Sequence, residues 1–345
     1  MSAWARTGHC QEDSLSEQLL WMIQGYILSQ VVHVIAKLGI ADLVTDGPQT
    51  SFTLAKTTAT DPDALYRLLI TGAAFGLLDE IEPHTFSLRP LGELLRTGAS
   101  GSLRDYAISM AAPGHWLPCG HLEQAIRNGR PSFEEVFGSD LWQYHAQHSE
   151  EGIRHGKMLG NVSALIADDI VAQFNVSSFQ KIVDVGANHG GLLAALLRAA
   201  PRAAGILFDL PSVIAGARGA VEQLGLSGRV ELIGGDFFRE VPGGGDLYIL
   251  MRILHNWDDT QCGIILRNIH RACTGRGTLL VIERLMPMTP EPSPVYLSDL
   301  NMLMRVGGRE RSRENFRTLL TSAGYRLERI IPISGFFNMI EAART

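Results

Sequence analysis

A chain of 345 residues that is 46% hydrophobic and 19% charged has the balance of a folded globular protein, and it is long enough for two or three compact parts. Its formal net charge of −6 gives no general attraction to phosphate backbones or anionic membranes, so neither nucleic acid nor a membrane is an expected partner. Cys10, Cys119, Cys262 and Cys273 form no CxxC pair and the polar N-terminus shows no charged-then-apolar secretion signal, so a reducing cytoplasm is the expected location.

From Ser14 to about Leu43, Leu15, Leu19, Met22, Ile23, Tyr26 and Ile27 recur three and four apart, which predicts a helix with one wide apolar face in need of a partner. Gln24, Gln30, His33 and Lys37 interrupt the apolar run Leu19–Leu38, which reads as a buried helix in place of a membrane span. Two shorter helices are predicted at Thr53–Thr58 and Pro62–Phe75, the second capped by Asp61, and a hairpin at Leu77–Ile81 and Thr85–Leu88. Helix, helix, hairpin is a winged-helix outline. The would-be recognition helix carries Asp61, Asp63 and the single base Arg67, too little positive charge for a DNA groove, which leaves dimerisation as the expected use. Residues 101–169 read as helical, with loops at Pro113–Pro118 and Gly129–Pro131. Their Met110, Trp116, Phe133, Trp142 and Met158 suit either helix packing or the wall of a substrate pocket, with Trp116 and Met158 the strongest pocket candidates.

After Gln180 the pattern becomes short apolar strands alternating with helices. Strands are predicted at Ile182–Val185, Gly205–Phe208, Val230–Ile233, Leu247–Met251 and Thr278–Ile282, and helices near Gly191–Ala199, Val213–Gln223, Asp259–Ala272 and Ser312–Ala323. Such a chain is α/β, with a mostly parallel sheet covered on both faces. Tyr325–Pro332 and Gly335–Ile340 would add an antiparallel hairpin.

In such a sheet, ligands bind beyond the carboxyl ends of the strands. IVDVGANHGG, residues 182–191, is a buried strand, a Gly-bearing turn and a helix start, so Asp184, Gly186, Asn188 and Gly190 are placed to meet a cofactor. Asp209 ends the next strand beside Leu210, where a carboxylate accepts both hydroxyls of a ribose or, alternatively, caps the following helix. Asp236 and Phe237 follow the third strand, suited to an adenine amine and an adenine face. That pair favours S-adenosylmethionine over NAD, as does Asn188 where a dinucleotide turn wants glycine, leaving an NAD-dependent oxidoreductase as the weaker alternative.

LYILMRILHNWDD (residues 247–259), with DVGANHG, FDLP, GDFF, VIERLMP and GGRERS, resembles the class I S-adenosylmethionine-dependent O-methyltransferases of the plant caffeate type and their bacterial natural-product branch, over nearly the whole chain. The resemblance implies a winged-helix-like dimerisation domain at 1–100, a helical connector lining the substrate pocket at 101–175, and a Rossmann-like catalytic domain at 176–345. It implies a homodimer through intertwined N-terminal helices, S-adenosylmethionine as methyl donor with S-adenosylhomocysteine as product, and a small aromatic hydroxyl compound as acceptor. His255 falls where the family places its general base, Glu283 and Glu310 where it places two acidic partners, and Arg252 where it carries a basic residue near the cofactor. An imidazole suits the base because its ordinary pKa leaves it largely neutral at cellular pH. Asp299, Asn301, Met302 and Met304 would border the substrate, with Asn301 able to hydrogen-bond a substrate oxygen. No metal is expected, since His115, Cys119 and His121 lack a convincing partner set. Some members of the family use the same fold and cofactor for decarboxylation, hydroxylation or pericyclic reactions, and the set His255, Glu283, Glu310 favours methyl transfer.

Overall fold

A computed structural model describes residues 14–345 apart from 224, 227 and 276; Cys10 lies outside the described residues. The chain forms two compact units, one of residues up to Trp116 together with Ile153–Asn161, the other of Leu117–Gly152 and Val162–Thr345.

In the first unit, helix α1 (Leu15–Leu38) opens at a reciprocal cap between Ser14 and Glu17 and stops at Gly39. Its C-terminal half buries Val31, Ile35 and Ala36, whereas its N-terminal half leaves Leu15 84% and Met22 78% exposed, with Leu19, Ile23, Tyr26 and Ile27 beside them. By length and composition alone α1 could cross a membrane, and 22% of its most apolar window is buried within the single chain. The strand β1 (Gln49–Thr50), helices α2 (Ser51–Thr58) and α3 (Pro62–Ala74), and the hairpin β2 (Leu78–Glu82) and β3 (Thr85–Leu88) follow. Asp61 caps α3 by accepting from the Ala64 N–H, and Pro62 fills the first turn, where its missing N–H has no partner to lose. The sheet order is β1-β3-β2, and Ile35, Leu54, Leu69, Leu78 and Phe86 form the core beneath it.

Pro113–Cys119 is a short helix and not the expected loop. The Ala112 carbonyl accepts from both His115 and Trp116 N–H groups, so Pro113 stands in a first turn that needs no N–H from it. Pro118 falls in the last turn, where the loss of one bond ends the helix without breaking it.

The second unit is a seven-stranded sheet in the order β6-β5-β4-β7-β8-β10-β9, formed by β4 (Lys181–Val185), β5 (Ala204–Asp209), β6 (Val230–Gly234), β7 (Leu247–Met251), β8 (Thr278–Glu283), β9 (Tyr325–Ile333) and β10 (Phe337–Arg344). The first five are parallel, and β10 runs antiparallel between β8 and β9. Val183, Val185, Leu250 and Val281 are fully buried, as strands covered on both faces require. Ser334–Phe336 form a tight turn, so the last strand starts at Phe337 and continues to Arg344, later at both ends than the sequence pattern suggests. The helices α4 (Gly191–Ala199), α5 (Pro211–Gln223), α6 (Asp259–Ala272), α7 (Pro294–Val306) and α8 (Arg313–Ser322) connect the strands. Asp258 with Gln261, and Ser312 with Asn315, close reciprocal caps that fix where α6 and α8 begin.

Candidate active site

The carboxyl ends of β4, β5 and β6 converge on one turn. At Gly186, φ is +75°, a conformation that favours glycine, and a Cβ there would lie 2.3 Å from Ile253 Cδ1 and force that side chain to shift. Asn188 is also left-handed, φ 52°, a conformation Asn tolerates, and its N–H donates to Asp209 Oδ2 at 2.8 Å. The Leu210 N–H donates to Asp209 Oδ1 at 2.7 Å. Each Asp209 oxygen thus spends one acceptor site on the backbone and keeps another, which is what a ribose diol requires. Gly190 begins α4, whose first N–H groups face the turn.

Burial, with the charge of Asp209 nearby, pushes the Asp184 carboxyl up to about 7. Burial raises Asp209 as well, against the two backbone N–H bonds that lower it. Two carboxylates at adjacent strand ends disfavour each other's charge, and a cationic ligand would relieve that cost. Asp236 Oδ1 accepts the Phe238 N–H at 2.9 Å and so shapes the turn that presents Phe237. The Phe237 ring meets Trp257 edge-on at 6.1 Å, and Trp257 stacks with Trp142 at 6.4 Å. A ribose acceptor, an aromatic face and a glycine cradle at one sheet edge fit an adenosyl cofactor.

On the next strand ends, a second constellation is buried. His255 sits in a one-turn helix after β7 and is 6% exposed; Glu283 ends β8 and is fully buried; Glu310 precedes α8 and is 4% exposed. His255 Nδ1 lies 3.2 Å from Glu310 Oε1 and 3.6 Å from Glu283 Oε2, and the His255 backbone N–H donates to Glu283 Oε1 at 3.3 Å. Burial raises the Glu283 carboxyl despite the neighbouring imidazole. Glu310 is held low by its hydrogen bond and charge interaction with His255, which outweigh the opposing cost of its burial. The imidazole therefore faces one charged and one reluctant carboxylate. Arg252, next to β7, is strained at φ 56°, and its charge acts on Glu283.

Three further residues fix this geometry and are not evident in the sequence. Arg311 is 1% exposed; its Nη1 and Nη2 donate to the carbonyls of Leu254 and Trp257 at 2.8 and 2.7 Å, and its Nε to Asp259 Oδ1 at 2.9 Å. It grips the turn on both sides of His255. The Arg309 N–H donates to the His255 carbonyl at 2.9 Å, and a Cβ on Gly308 would stand 2.0 Å from that same oxygen. The alternation of charge in GGRERS was the available signal, since an extended segment turns alternate side chains to opposite sides.

Asp299 Oδ1 accepts the Glu310 N–H at 2.8 Å, so this carboxylate is engaged with the site's own backbone. On the same helix α7, Met302 is buried and Asn301 half-buried; Leu210 is 43% exposed. Trp116, half-buried, and Met158, 2% exposed, belong to the first unit, whereas every other residue named here belongs to the second. Among the described residues one group has metal-ligand spacing: single donor atoms of His255, Glu283 and Glu310 lie within 4.8 Å of one another.

Comparison with known proteins agrees with this architecture. Residues 119–326 match the O-methyltransferase domain and residues 20–98 the O-methyltransferase dimerisation domain. The chain is 39% identical to the phenazine O-methyltransferase PhzM of Lysobacter antibioticus, with 95% of this chain and 96% of that protein covered. It is 32% identical to the phenazine-1-carboxylate N-methyltransferase of Pseudomonas aeruginosa, over 95% and 97% of the two chains. Human N-acetylserotonin methyltransferase, solved in complex with S-adenosylmethionine, superimposes with a TM-score of 0.89 at 26% identity, covering 97% of this chain and 99% of that one. With both family regions matched in order, and with the strand-end site just described, the chain belongs to the S-adenosylmethionine-dependent O-methyltransferase family.

Proposed function

We propose that the protein transfers a methyl group to the hydroxyl of a small aromatic natural product, with His255 as general base. The observation that carries this reading is the buried pairing of His255 Nδ1 with Glu310 at 3.2 Å. An ionised carboxylate only accepts, so it holds the proton on Nδ1 and leaves Nε2 as the free acceptor for a hydroxyl proton. When the imidazole takes that proton, Glu310 stabilises the imidazolium, and Glu283 holds the backbone of the same residue. S-adenosylmethionine supplies the electrophilic methyl group. Asp209 binds its ribose, Asp184 offsets its positive charge, and Phe237 with Asp236 holds its adenine; Arg252 and Gly186 shape the turn around it. Asn301 and Met302 orient a flat acceptor. The nitrogen acceptors of some relatives give a second reading, in which a nitrogen lone pair attacks the methyl group without first giving up a proton to His255.

The domain reading is a dimerisation region at 1–100, a helical connector at 101–175 and a catalytic region at 176–345. The match to the dimerisation domain over residues 20–98 supports a homodimer. The exposed apolar half of α1 is the surface we assign to it, and no membrane or nucleic acid enters this reading. Cys119, Cys262 and Cys273 are free thiols, in keeping with a cytoplasmic setting.

Incubation with S-adenosylmethionine and a hydroxylated phenazine carboxylate, which offers oxygen and nitrogen on one ring system, tests the choice. Mass spectrometry of the product should locate the methyl on oxygen, and His255→Ala should slow its formation by about 10²–10⁴. An N-methyl product formed equally well by His255→Ala would reject the reading. Turnover insensitive to a chelator is expected, and dependence on an added divalent cation would turn the same three side chains into metal ligands.

A further inference from the structure

Glu310 has a partner besides the histidine. Ser298, on α7, brings its Oγ to 2.6 Å from Glu310 Oε1, the same oxygen that faces His255 Nδ1. Behind it, Arg284 Nη1 lies 2.9 Å from Ser298 Oγ, and the guanidinium is stacked over the Phe337 ring at 4.8 Å. The direction of this chain is fixed by chemistry. A guanidinium has only N–H groups to give, so the Ser298 hydroxyl must accept from Arg284 and send its single proton to Glu310. Glu310 Oε1 then receives two donors, Ser298 and His255, as an ionised oxygen can and a protonated one cannot do as well. Glu283 has no such support: its Oε1 accepts the His255 backbone N–H at 3.3 Å, and it is fully buried. The surrounding charges are Arg252 beside Glu283, Arg284 beside Glu310, and Asp299 with Arg309 flanking the Glu310 backbone.

We propose that Ser298, polarised by Arg284, is a positioning residue that makes Glu310 the charged member of the carboxylate pair and keeps its Oε1 aimed at His255 Nδ1. Neither residue need touch the acceptor or the cofactor. The proposal rests on His255 acting as base only for its importance to turnover; the hydrogen-bond chain itself stands or falls separately.

The test is nuclear magnetic resonance of the full protein labelled with nitrogen-15 in histidine, with S-adenosylhomocysteine added. The His255 signal is assigned as the one missing in His255→Asn. A protected, downfield Nδ1–H and an unprotonated Nε2 are expected in the unaltered protein. Ser298→Ala should lose that protected proton, Ser298→Thr should retain it, and Arg284→Met should weaken it. In a Glu310→Gln background, Ser298→Ala should change nothing further, because its route of action is already gone. An unchanged His255 signal in Ser298→Ala, or an additional change in the double variant, would overturn the proposal. S-adenosylhomocysteine affinity within about two-fold of the unaltered protein, measured by calorimetry, shows that each variant is folded. With a hydroxylated phenazine as probe acceptor, turnover by Ser298→Ala should fall about ten-fold, in the range for a hydrogen bond to a charged group. Full turnover by His255→Ala alongside a lost Nδ1 proton in Ser298→Ala would reject the base and leave the action of Ser298 on Glu310 intact.

Discussion

The two halves of the site are built by different means. At the ends of β4, β5 and β6 the contacts run from backbone N–H groups to two carboxylates: Asn188 and Leu210 donate to Asp209, and Phe238 donates to Asp236. The turn is held by conformation, with Gly186 and Asn188 both left-handed. Around His255 polar side chains are gathered from separate elements: Glu283 comes from β8, Glu310 and Arg311 from the segment before α8, and Ser298 from α7. The first half is a shaped backbone, while the second is a desolvated charge network around one imidazole. Under the proposed function, a cofactor cradle and a base should therefore fail in separable ways.

His255→Ala should give the largest effect and break only the second half. Turnover should fall by about 10²–10⁴, the usual contribution of a positioned base, while calorimetry finds S-adenosylhomocysteine bound as before. Arg311→Met comes next. It removes the charged donor from the carbonyls of Leu254 and Trp257 and from Asp259, and should lower stability by about 2–4 kcal/mol, read from the denaturation midpoint. Its turnover should fall with cofactor affinity little changed; a matched loss of affinity would show that the two halves are one mechanical unit. Asp209→Asn addresses the first half. The amide oxygen can retain one backbone bond but the charge is gone, so cofactor affinity should weaken about ten-fold, with turnover at saturating cofactor nearly preserved.

A pH dependence of the cofactor-free protein probes the first half in the absence of its ligand. Asp184 is raised in the fold to about 7 from an ordinary value of 3.8. Between those values the unfolded chain releases this proton and the native protein retains it, so the contribution of Asp184 to stability declines as pH rises through that window and is flat above it. Thermal denaturation should show Asp184→Asn gaining on the unaltered protein by about 2–4 kcal/mol from pH 4 to pH 7. Added S-adenosylmethionine should shrink the difference, because its positive charge favours the ionised carboxylate. A gap independent of pH would mean that Asp184 is not desolvated as described.

The same division explains what the sequence made legible. Asp61, Asp258 and Ser312 announce helix starts because a cap is a contact over three residues. The Gly186 turn and Asp209 are readable because strand, turn and helix follow in order. Glu310 lies 55 residues from His255, and nothing in its local pattern distinguishes it from a solvated loop charge; the family resemblance brought it forward. Arg311 lies in the same GGRERS motif, but no role was attached to it, since an arginine there reads as surface until the carbonyls that bury it are known. Pro113 and Pro118 misled in the other direction, as punctuation that a seven-residue helix accommodates. The exposed face of α1 was legible as apolar from its spacing, but local spacing carries no information about what covers it.

The grip of Arg311 on the turn around His255 also bears on how the protein comes into being. On the ribosome the strands that form the cofactor cradle emerge first, and the segment that secures the base emerges only after β8 and α7. A chain that stops before that segment also lacks α8, β9 and β10, whose Phe316, Leu320, Tyr325 and Ile340 share one core with Val183, Leu250 and Val281, so the turn around His255 is secured only as the sheet itself is completed.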